Sequence, residues 1–449
     1  MHFIFDTLTW KDENGLIPWL AESWEMSPDG KSWTFKLRHD VRWHDGEPFT
    51  AQDVAFTFQY ARENAPEIIW NGEITKVEAV EAVDVHTVRF TLSAPIAGPH
   101  YFNLFGSLPI IPKHIWEGVT DPAKYLAPEA VTGTGPFKLV RYSKEEGLYI
   151  YEKNPDFWGG RVKVDRLVFI RVQDLAAALQ AGEIDMASFW GNEIEAVEHF
   201  RSNPDYRTIE GPSFWVLQLI FNLQRPPLDR PEVRQAFAYA IDRQKLVSQV
   251  THGGAIVANL GIVSPSTVWA NPNLPAYPYD PDKAKQILHD AGLETLELTI
   301  IQSGWEREAE LIRADLEAVG IKVTVKSRDR TTVDGLLREG SFDLAINGHG
   351  GIANPSTLRN PTWPAATYQN ETYDALFRAQ SIEMNEEKRR QQIWELQAIL
   401  AQELPVLPLY HPLMWVIYRA DSQIVPFYTP EGIAGGIPIE LNKLIFIER

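Results

Sequence analysis

Apolar and polar positions alternate without a break through Ser32-Trp33-Thr34-Phe35-Lys36-Leu37-Arg38, the period of a strand with one buried face. Pro28-Asp29-Gly30 supplies turn chemistry just before it, so this region reads as a tryptophan-laden hairpin. A second turn at His44-Asp45-Gly46 leads to Thr50, placed to cap a helix through Asp53 and Val54. Gly133-Thr134-Gly135 followed by Pro136 reads as a turn, and a strand pair follows through Leu139 and Tyr149-Ile150-Tyr151. Asn154 to Trp158 is a turn, Leu167 to Val172 an apolar strand, Leu175 to Gln180 a short helix and Ile184 to Ser188 a strand. That order predicts a βαβ unit and a parallel sheet.

The same grammar recurs later in the chain. Asp280 caps a helix with Pro281 at its first position, and Gly292 ends it. Leu296 to Ile301 is a strand, and the helix from Glu306 to Val319 carries Leu311, Ile312, Leu316 and Val319 on one face. Ile321 to Val325, Val333 to Leu337 and Phe342 to Ile346 then read as strand, helix and strand. Ala181 to Ala187 and Glu339 to Ala345 share a helix-stop glycine, a two-residue step and an apolar-Asp-apolar-Ala strand. Two such units predict two α/β lobes of like architecture. Ligands of open α/β sheets sit beyond the carboxyl ends of the strands. That rule singles out Ser188-Phe189-Trp190-Gly191-Asn192 and Asn347-Gly348-His349-Gly350-Gly351. A strand ending at Asn222, the stiff pair Pro226-Pro227 and a helix opened by Pro231 mark a crossing between lobes, with a return near Tyr418 to Val425.

A chain of 449 residues can build two or three cores. No apolar run approaches the ~18 residues that a membrane span requires. The formal charge of −18 argues against nucleic-acid and anionic-membrane partners, which need positive surface. The absence of cysteine removes disulfides, thiol nucleophiles and thiolate metal sites together. Most of the 15 tryptophans are expected in cores and hairpins, the rest as flat lining of a ligand cleft.

Catalytic signatures are missing. There is no G-x-S-x-G elbow, no P-loop, no Rossmann fingerprint and no H-E-x-x-H. His39-Asp40, His44-Asp45 and His289-Asp290 read as surface hydrogen-bonding pairs. Carboxylates are abundant, but nothing singles out a pair for acid–base work. His349, between glycines at a strand end, and His411, in Leu407-Pro408-Leu409-Tyr410-His411-Pro412, are candidates for a hydrogen bond to ligand or a metal contact. Two imidazoles alone do not make a high-affinity metal site.

The order LAESW, DGK.WTF.LR and W.DG.P.TA.DV over residues 18–54, and the run from Phe221 to Arg243, closely resemble the solute-binding proteins of peptide and nickel ABC importers, extracellular solute-binding family 5. The resemblance implies a two-lobed type II periplasmic-binding fold with an extra β-rich domain, closing on a small solute by a hinge. It places lobe I at residues 1–6, 134–222 and 418–449, the extra domain at 7–133, and lobe II at 223–417. It also implies a monomer outside the cytoplasmic membrane, periplasmic or lipid-anchored at the surface, delivering solute to a permease with an ATPase. Met1 to Phe5 carry no basic-then-apolar signal pattern, and the family pattern is already under way at Phe5-Asp6-Thr7-Leu8, so the resemblance implies a start truncated relative to the family's signal and first strand.

Departures from the family pattern point to the ligand. Peptide receptors carry an aspartate for the peptide ammonium where this chain reads His349-Gly350-Gly351-Ile352-Ala353-Asn354-Pro355. Losing that buried bond costs about 1.5–3 kcal/mol. Nickel-chelate receptors carry an arginine-containing stretch where this chain has Ser107-Leu108-Pro109-Ile110-Ile111-Pro112, and Thr429 to Pro438 is glycine-rich. A neutral, aromatic cleft remains, lined by Trp190, Asn192, Trp215, His349, Gly350, Trp363, His411 and Trp415, for a peptide-like, glycan or other weakly charged solute and with no cofactor. A metal chelate is the alternative within the family. An extracytoplasmic hydrolase and a sensory receptor are the alternatives outside it.

Overall fold

The computed structural model describes residues 2–64, 72–97, 104–213, 215–350, 358, 368–427 and 442–448. The chain forms two compact units. Unit 1 comprises Met1–Ala187, Ser381–Met384 and Tyr418–Arg449, and unit 2 comprises Ser188–Gln380 and Asn385–Ile417.

Unit 1 opens with the short hairpin β1 (Thr9–Asp12) and β2 (Gly15–Pro18). The predicted tryptophan hairpin forms as β3 (Ala21–Met26) and β4 (Ser32–Leu37), turned at Gly30 with φ +68°. With β5 (Val77–Asp84) and β6 (Thr87–Leu92) these strands make a four-stranded antiparallel sheet in the order β3-β4-β6-β5. Thr50 caps helix α1 (Ala51–Glu63), its backbone N–H donating to Asp53 Oδ2 at 2.9 Å. The sheet and helix meet through Phe35, Phe58, Phe90 and Phe105, with Phe35 and Phe105 rings 4.7 Å apart. A single-turn helix, α2 (Lys113–Trp116), follows. Then β7 (Phe137–Ser143), β8 (Leu148–Lys153) and β9 (Arg166–Phe169) form a three-stranded antiparallel sheet. One core runs from Phe3 to Leu167 and closes with Leu444 to Ile447, so the expected inserted region 7–133 shares it with the rest of unit 1.

Two features of this core were hidden in the sequence. Gly133 and Gly135 are close-approach glycines: a Cβ would stand 1.9 Å from the Ile4 carbonyl oxygen at Gly133 and 2.4 Å from that of Phe3 at Gly135. His44, expected at the surface, is instead half-buried and locked beside them. It donates from Nε2 to the Gly135 carbonyl at 3.0 Å and accepts the Gly133 N–H at Nδ1, 3.2 Å away. Burial drives its pKa down to about 4, so both bonds persist at neutral pH.

The βαβ unit expected from Leu167 to Ser188 does not form. Helix α3 (Leu175–Ala181) lies between them, yet β9 pairs antiparallel with β8 while β10 (Met186–Trp190) belongs to a different, eight-stranded sheet. The helix therefore joins two sheets rather than crossing over one.

Unit 2 continues with α4 (Ile194–Arg201), β11 (Tyr206–Pro212), β12 (Trp215–Phe221), α5 (Pro231–Ala240), α6 (Arg243–Val250) and β13 (Ala255–Val257). The second predicted α/β unit then appears nearly as read: α7 (Pro281–Asp290), β14 (Leu296–Gln302), α8 (Glu306–Ala318), β15 (Ile321–Ser327), α9 (Arg330–Glu339) and β16 (Leu344–Gly350). Helices α10 (Glu371–Gln380) and α11 (Glu386–Glu403) precede the long strand β17 (Val406–Arg419). The sheet runs β10-β17-β12-β16-β14-β15, with β11 and β13 also on β17. β14 is parallel to β15 and β16, and β12 is antiparallel to β16 and β17.

β12 therefore belongs to unit 2, although the expected crossing was placed after it. Seven consecutive register pairs to β16 hold it there. The echo between the two sequence segments survives at the helix ends. Gly182 and Gly340 are both left-handed caps, at φ +72° and +68°, followed by equivalent backbone bonds, Glu183 to Ala178 and Ser341 to Leu336. The run from Phe221 to Arg243 is a framework. Asn222 Nδ2 donates to the Gly340 and Phe342 carbonyls, and Arg234 donates to those of Leu228, Glu403 and Leu404. Arg243 donates to the Ala258 carbonyl.

Candidate functional site

Strand alternation divides the unit 2 sheet into two faces. Leu217, Leu219, Phe221, Leu344, Ile346 and Tyr410 pack on one core, against α8. Val216, Ile220, Ala345 and Val406 pack on another, with Leu337, Ile393 and Leu400. The carboxyl ends of β14, β15 and β16 lie at one end of this sheet, where β12 begins.

Trp215 opens β12 opposite Gly350. Its indole lies across Gly348 and Gly350, where added Cβ atoms would each stand 3.2 Å from the ring. Trp215 is 42% exposed, its indole a flat apolar platform on a glycine floor. Its backbone carbonyl accepts a hydrogen bond from His411 Nδ1 at 3.0 Å. A carbonyl only accepts, so Nδ1 carries the proton and Nε2 the lone pair. His349 is paired with Val216, next to Trp215 and on the opposite face from the indole. Burial lowers the pKa of both histidines to about 4, so each is neutral at physiological pH.

The segment after β10 meets the same edge. Gly191 packs on Gly254 and Pro412, its built Cβ standing 2.8 Å from the Gly254 carbonyl oxygen and 3.3 Å from Pro412 Cβ. Pro412 adjoins His411, so the loop bearing half-buried Trp190 and exposed Asn192 runs beside that histidine's strand. The Trp190 N–H is tied to Glu193 Oε2 at 2.8 Å. Trp190, Asn192, Trp215, His349, Gly350 and His411 thus gather at one end of one sheet, but on both of its faces.

Trp415 stands apart. It is fully buried farther along β17, with Nε1 donating to Glu210 Oε2 at 2.8 Å. Arg201 pairs with the same carboxylate. A groove of about 500 Å³ opens nearby, lined by Phe200, Arg201, Tyr206, Arg207 and Glu210. Of its two arginines, Arg201 is neutralised by Glu210 and Arg207 donates to the Pro204 and Tyr206 carbonyls, and no other described candidate residue lines it. Trp363, Gly351 to Pro355 and Thr429 to Pro438 lie outside the described residues.

Sequence reading missed Gln218 altogether and singled out Asn347 only as the first residue of a strand-end segment. Gln218 and Asn347 face each other across β12 and β16, and both are buried. Asn347 Oδ1 accepts from Arg330 Nη1 at 2.9 Å. Gln218 Nε2, Asn347 Nδ2 and His411 Nε2 have no hydrogen-bond partner among the described residues. Each such buried group costs about 1–3 kcal/mol if it stays unpaired. The signal was present in the sequence: one polar residue interrupting each apolar run, Val216-Leu217-Gln218-Leu219-Ile220 and Leu344-Ala345-Ile346-Asn347.

On the other face, Tyr410 donates to Glu308 Oε1 at 2.6 Å, behind the His411 strand. Burial raises the Glu308 pKa, with Glu306 adding to the rise and Tyr410 and Arg307 opposing it. A raised folded-state pKa favours the protonated form. Its stabilising contribution is full below the ordinary glutamate range and lost as pH rises through the folded value. Glu308→Gln keeps an acceptor for Tyr410 without a charge. Thermal melts should show the variant at least as stable as wild type at pH 8, with that advantage shrinking toward pH 4. A variant equally destabilised at both pH values would contradict this.

The family model described as bacterial extracellular solute-binding proteins, family 5, middle, matches residues 15–370, and the chain belongs to that family. A Brucella ovis protein named as an ABC transporter peptide-binding protein is 34% identical over 360 residues, 76% of this chain and 66% of its own length. The chain thus spans just under two thirds of that relative. Heme-binding protein A of Haemophilus influenzae is 30% identical over 453 residues, 89% of this chain and 80% of that protein. Among solved structures, NikZ of Campylobacter jejuni in complex with Ni(L-His) superposes with a TM-score of 0.78 at 25% identity, covering 94% of this chain and 89% of that one.

Proposed function

We propose that this protein is the solute receptor of an ABC importer, acting outside the cytoplasmic membrane as a monomer and handing a small solute to a permease with its ATPase. The family match across residues 15–370, which enters both units, carries the reading. The role is binding rather than catalysis. The solute is uncharged or weakly charged: peptide-like, a glycan or another metabolite. The exposed Trp215 platform and two neutral histidines support that class, since a flat indole stacks on rings and neutral imidazoles bind by hydrogen bonds.

A nickel or other metal chelate is the second reading, favoured by the unprotonated Nε2 of His411. Among the described residues no cluster of three or more His, Cys, Asp or Glu could hold an ion, so the chelator would supply most of the ligands.

Trp215→Ala removes the platform without touching the His411 bond, which uses the backbone carbonyl. It should weaken binding of the co-purifying solute by roughly tenfold or more, about 1.4 kcal/mol, as measured by calorimetry. Trp415→Phe, remote from that end of the sheet, should leave the affinity within about threefold, under about 1 kcal/mol. Equal losses from both variants would move the site away from Trp215.

A further inference from the structure

Three buried polar atoms in unit 2 lack partners among the described residues and share one face of three neighbouring strands. Gln218 and Asn347 are direct register partners across β12 and β16. On the other side of β12 the register pairs Leu217 with Tyr410, which sets His411 beside Val216 on the face that carries Gln218. Gln218 and Asn347, as direct partners, stand about 5 Å apart at Cβ. A bulge between Leu217 and Gln218 sets His411 at least the diagonal spacing of about 7–8 Å from Gln218, and β12 separates it from Asn347, so the three side chains meet at one oxygen only by reaching inward over β12.

The hydrogen-bonding sense of two of the three atoms is fixed by the structure. Arg330 offers only protons, so Asn347 must turn its oxygen to Arg330 and its NH₂ inward. The Trp215 carbonyl fixes the proton of His411 on Nδ1, leaving Nε2 as an acceptor. Gln218 adds a second NH₂ donor. Gln218, Asn347 and His411 are 1%, 2% and 2% exposed.

The geometry points to an oxygen-binding socket: Gln218 Nε2 and Asn347 Nδ2 donate to one uncharged hydroxyl oxygen, which donates its own proton to His411 Nε2. A cation is the wrong occupant, because two of the three groups present protons. A carboxylate fails for the opposite reason, because the His411 lone pair faces it. The hydroxyl belongs either to the solute or to a resident water. The assignment rests on the solute-receptor reading only for the choice between those sources.

A double-mutant cycle on the full chain tests it, with Gln218→Met and His411→Phe, apolar replacements of similar size. If the two side chains share one oxygen, each variant lowers Tm by roughly 2–6 °C and the double variant falls short of the sum. Were the atoms truly orphaned, apolar replacement would leave Tm unchanged or raise it, and the effects would add. That result overturns the socket. Two preparations separate the sources: protein as purified, and protein unfolded, dialysed free of small molecules and refolded. Non-additivity in both assigns a resident water, and non-additivity in the first alone assigns a solute hydroxyl. Should the variants fail to fold, the ¹⁵N shift of His411 Nε2 in wild-type protein decides. A hydrogen-bonded acceptor supports the socket, and a bare or metal-bound nitrogen overturns it. A protein that shows the shared oxygen yet neither retains a solute nor shifts its melting temperature with peptides, glycans or metal chelates would count against the receptor reading alone.

Discussion

Lys443→Ala will cost unit 1 about 3–5 kcal/mol of folding stability, the loss expected when one partner of a buried ion pair is removed and the other is left charged. Lys443 and Asp6 are both completely buried, and the ammonium contacts the carboxylate directly. It also donates to the Phe5 carbonyl at 2.7 Å and lies 4.5 Å from the centre of the Trp10 ring. Asp6 is held by Trp19 Nε1 and Thr134 Oγ1, each at 2.7 Å. The pair is therefore the centre of a network joining the N-terminal segment, the Gly133–Gly135 turn and the C-terminal segment. Asp6→Asn combined with Lys443→Met should recover part of the loss, because no unpaired charge remains. Urea unfolding followed by tryptophan fluorescence measures both. A loss below about 1 kcal/mol for Lys443→Ala would mean that water reaches the site.

The second large effect lies at the site end of unit 2. A Cβ on Gly254 would stand 1.8 Å from the Gly191 carbonyl oxygen. Backbone must move to admit it, so Gly254→Ala should cost about 1–3 kcal/mol and displace the Trp190–Asn192 loop from Pro412. Gly182→Ala is the comparison. Its φ of +72° carries a strain of roughly 1 kcal/mol, but nothing stands within 4 Å of the new atom. Gly254→Ala should lower both Tm and solute retention, and Gly182→Ala should lower Tm alone. Solute retention unchanged in Gly254→Ala would remove the 188–193 loop from the site.

The fold was legible where local chemistry decides it. Alternation gave the Trp33–Leu37 strand, and Thr50, Gly182 and Gly340 marked helix ends that the structure keeps. The α/β unit from Leu296 to Ile346 could be read because each element has its own period and stop signal. The false βαβ unit at Leu167–Ser188 shows the limit. Element order cannot say which sheet a strand joins, and β9 found an antiparallel partner in β8.

The candidate site was legible as a set of strand ends more than as an arrangement. The strand-end rule singled out Trp190, Asn192, His349 and Gly350, which the structure brings to one end of one sheet. Adjacent residues of one strand face opposite ways, however, so Trp215 and His349 could not both line one face, and only the β12–β16 register reveals that. Lys443 and Asp6, more than 400 residues apart in sequence, carry no local sign of pairing. The framework roles of Asn222 and Arg234 were equally hidden, because a signature motif looks the same whether it binds ligand or backbone carbonyls.

Native mass spectrometry of freshly purified full-length chain tests the central claim most directly, followed by denaturation and identification of what is released. A solute receptor should carry one small organic molecule per chain, uncharged or weakly charged, that is absent after unfolding and dialysis and rebinds to the refolded protein. A chain that carries nothing and shows no shift in melting temperature with peptides, glycans or metal chelates would contradict the account.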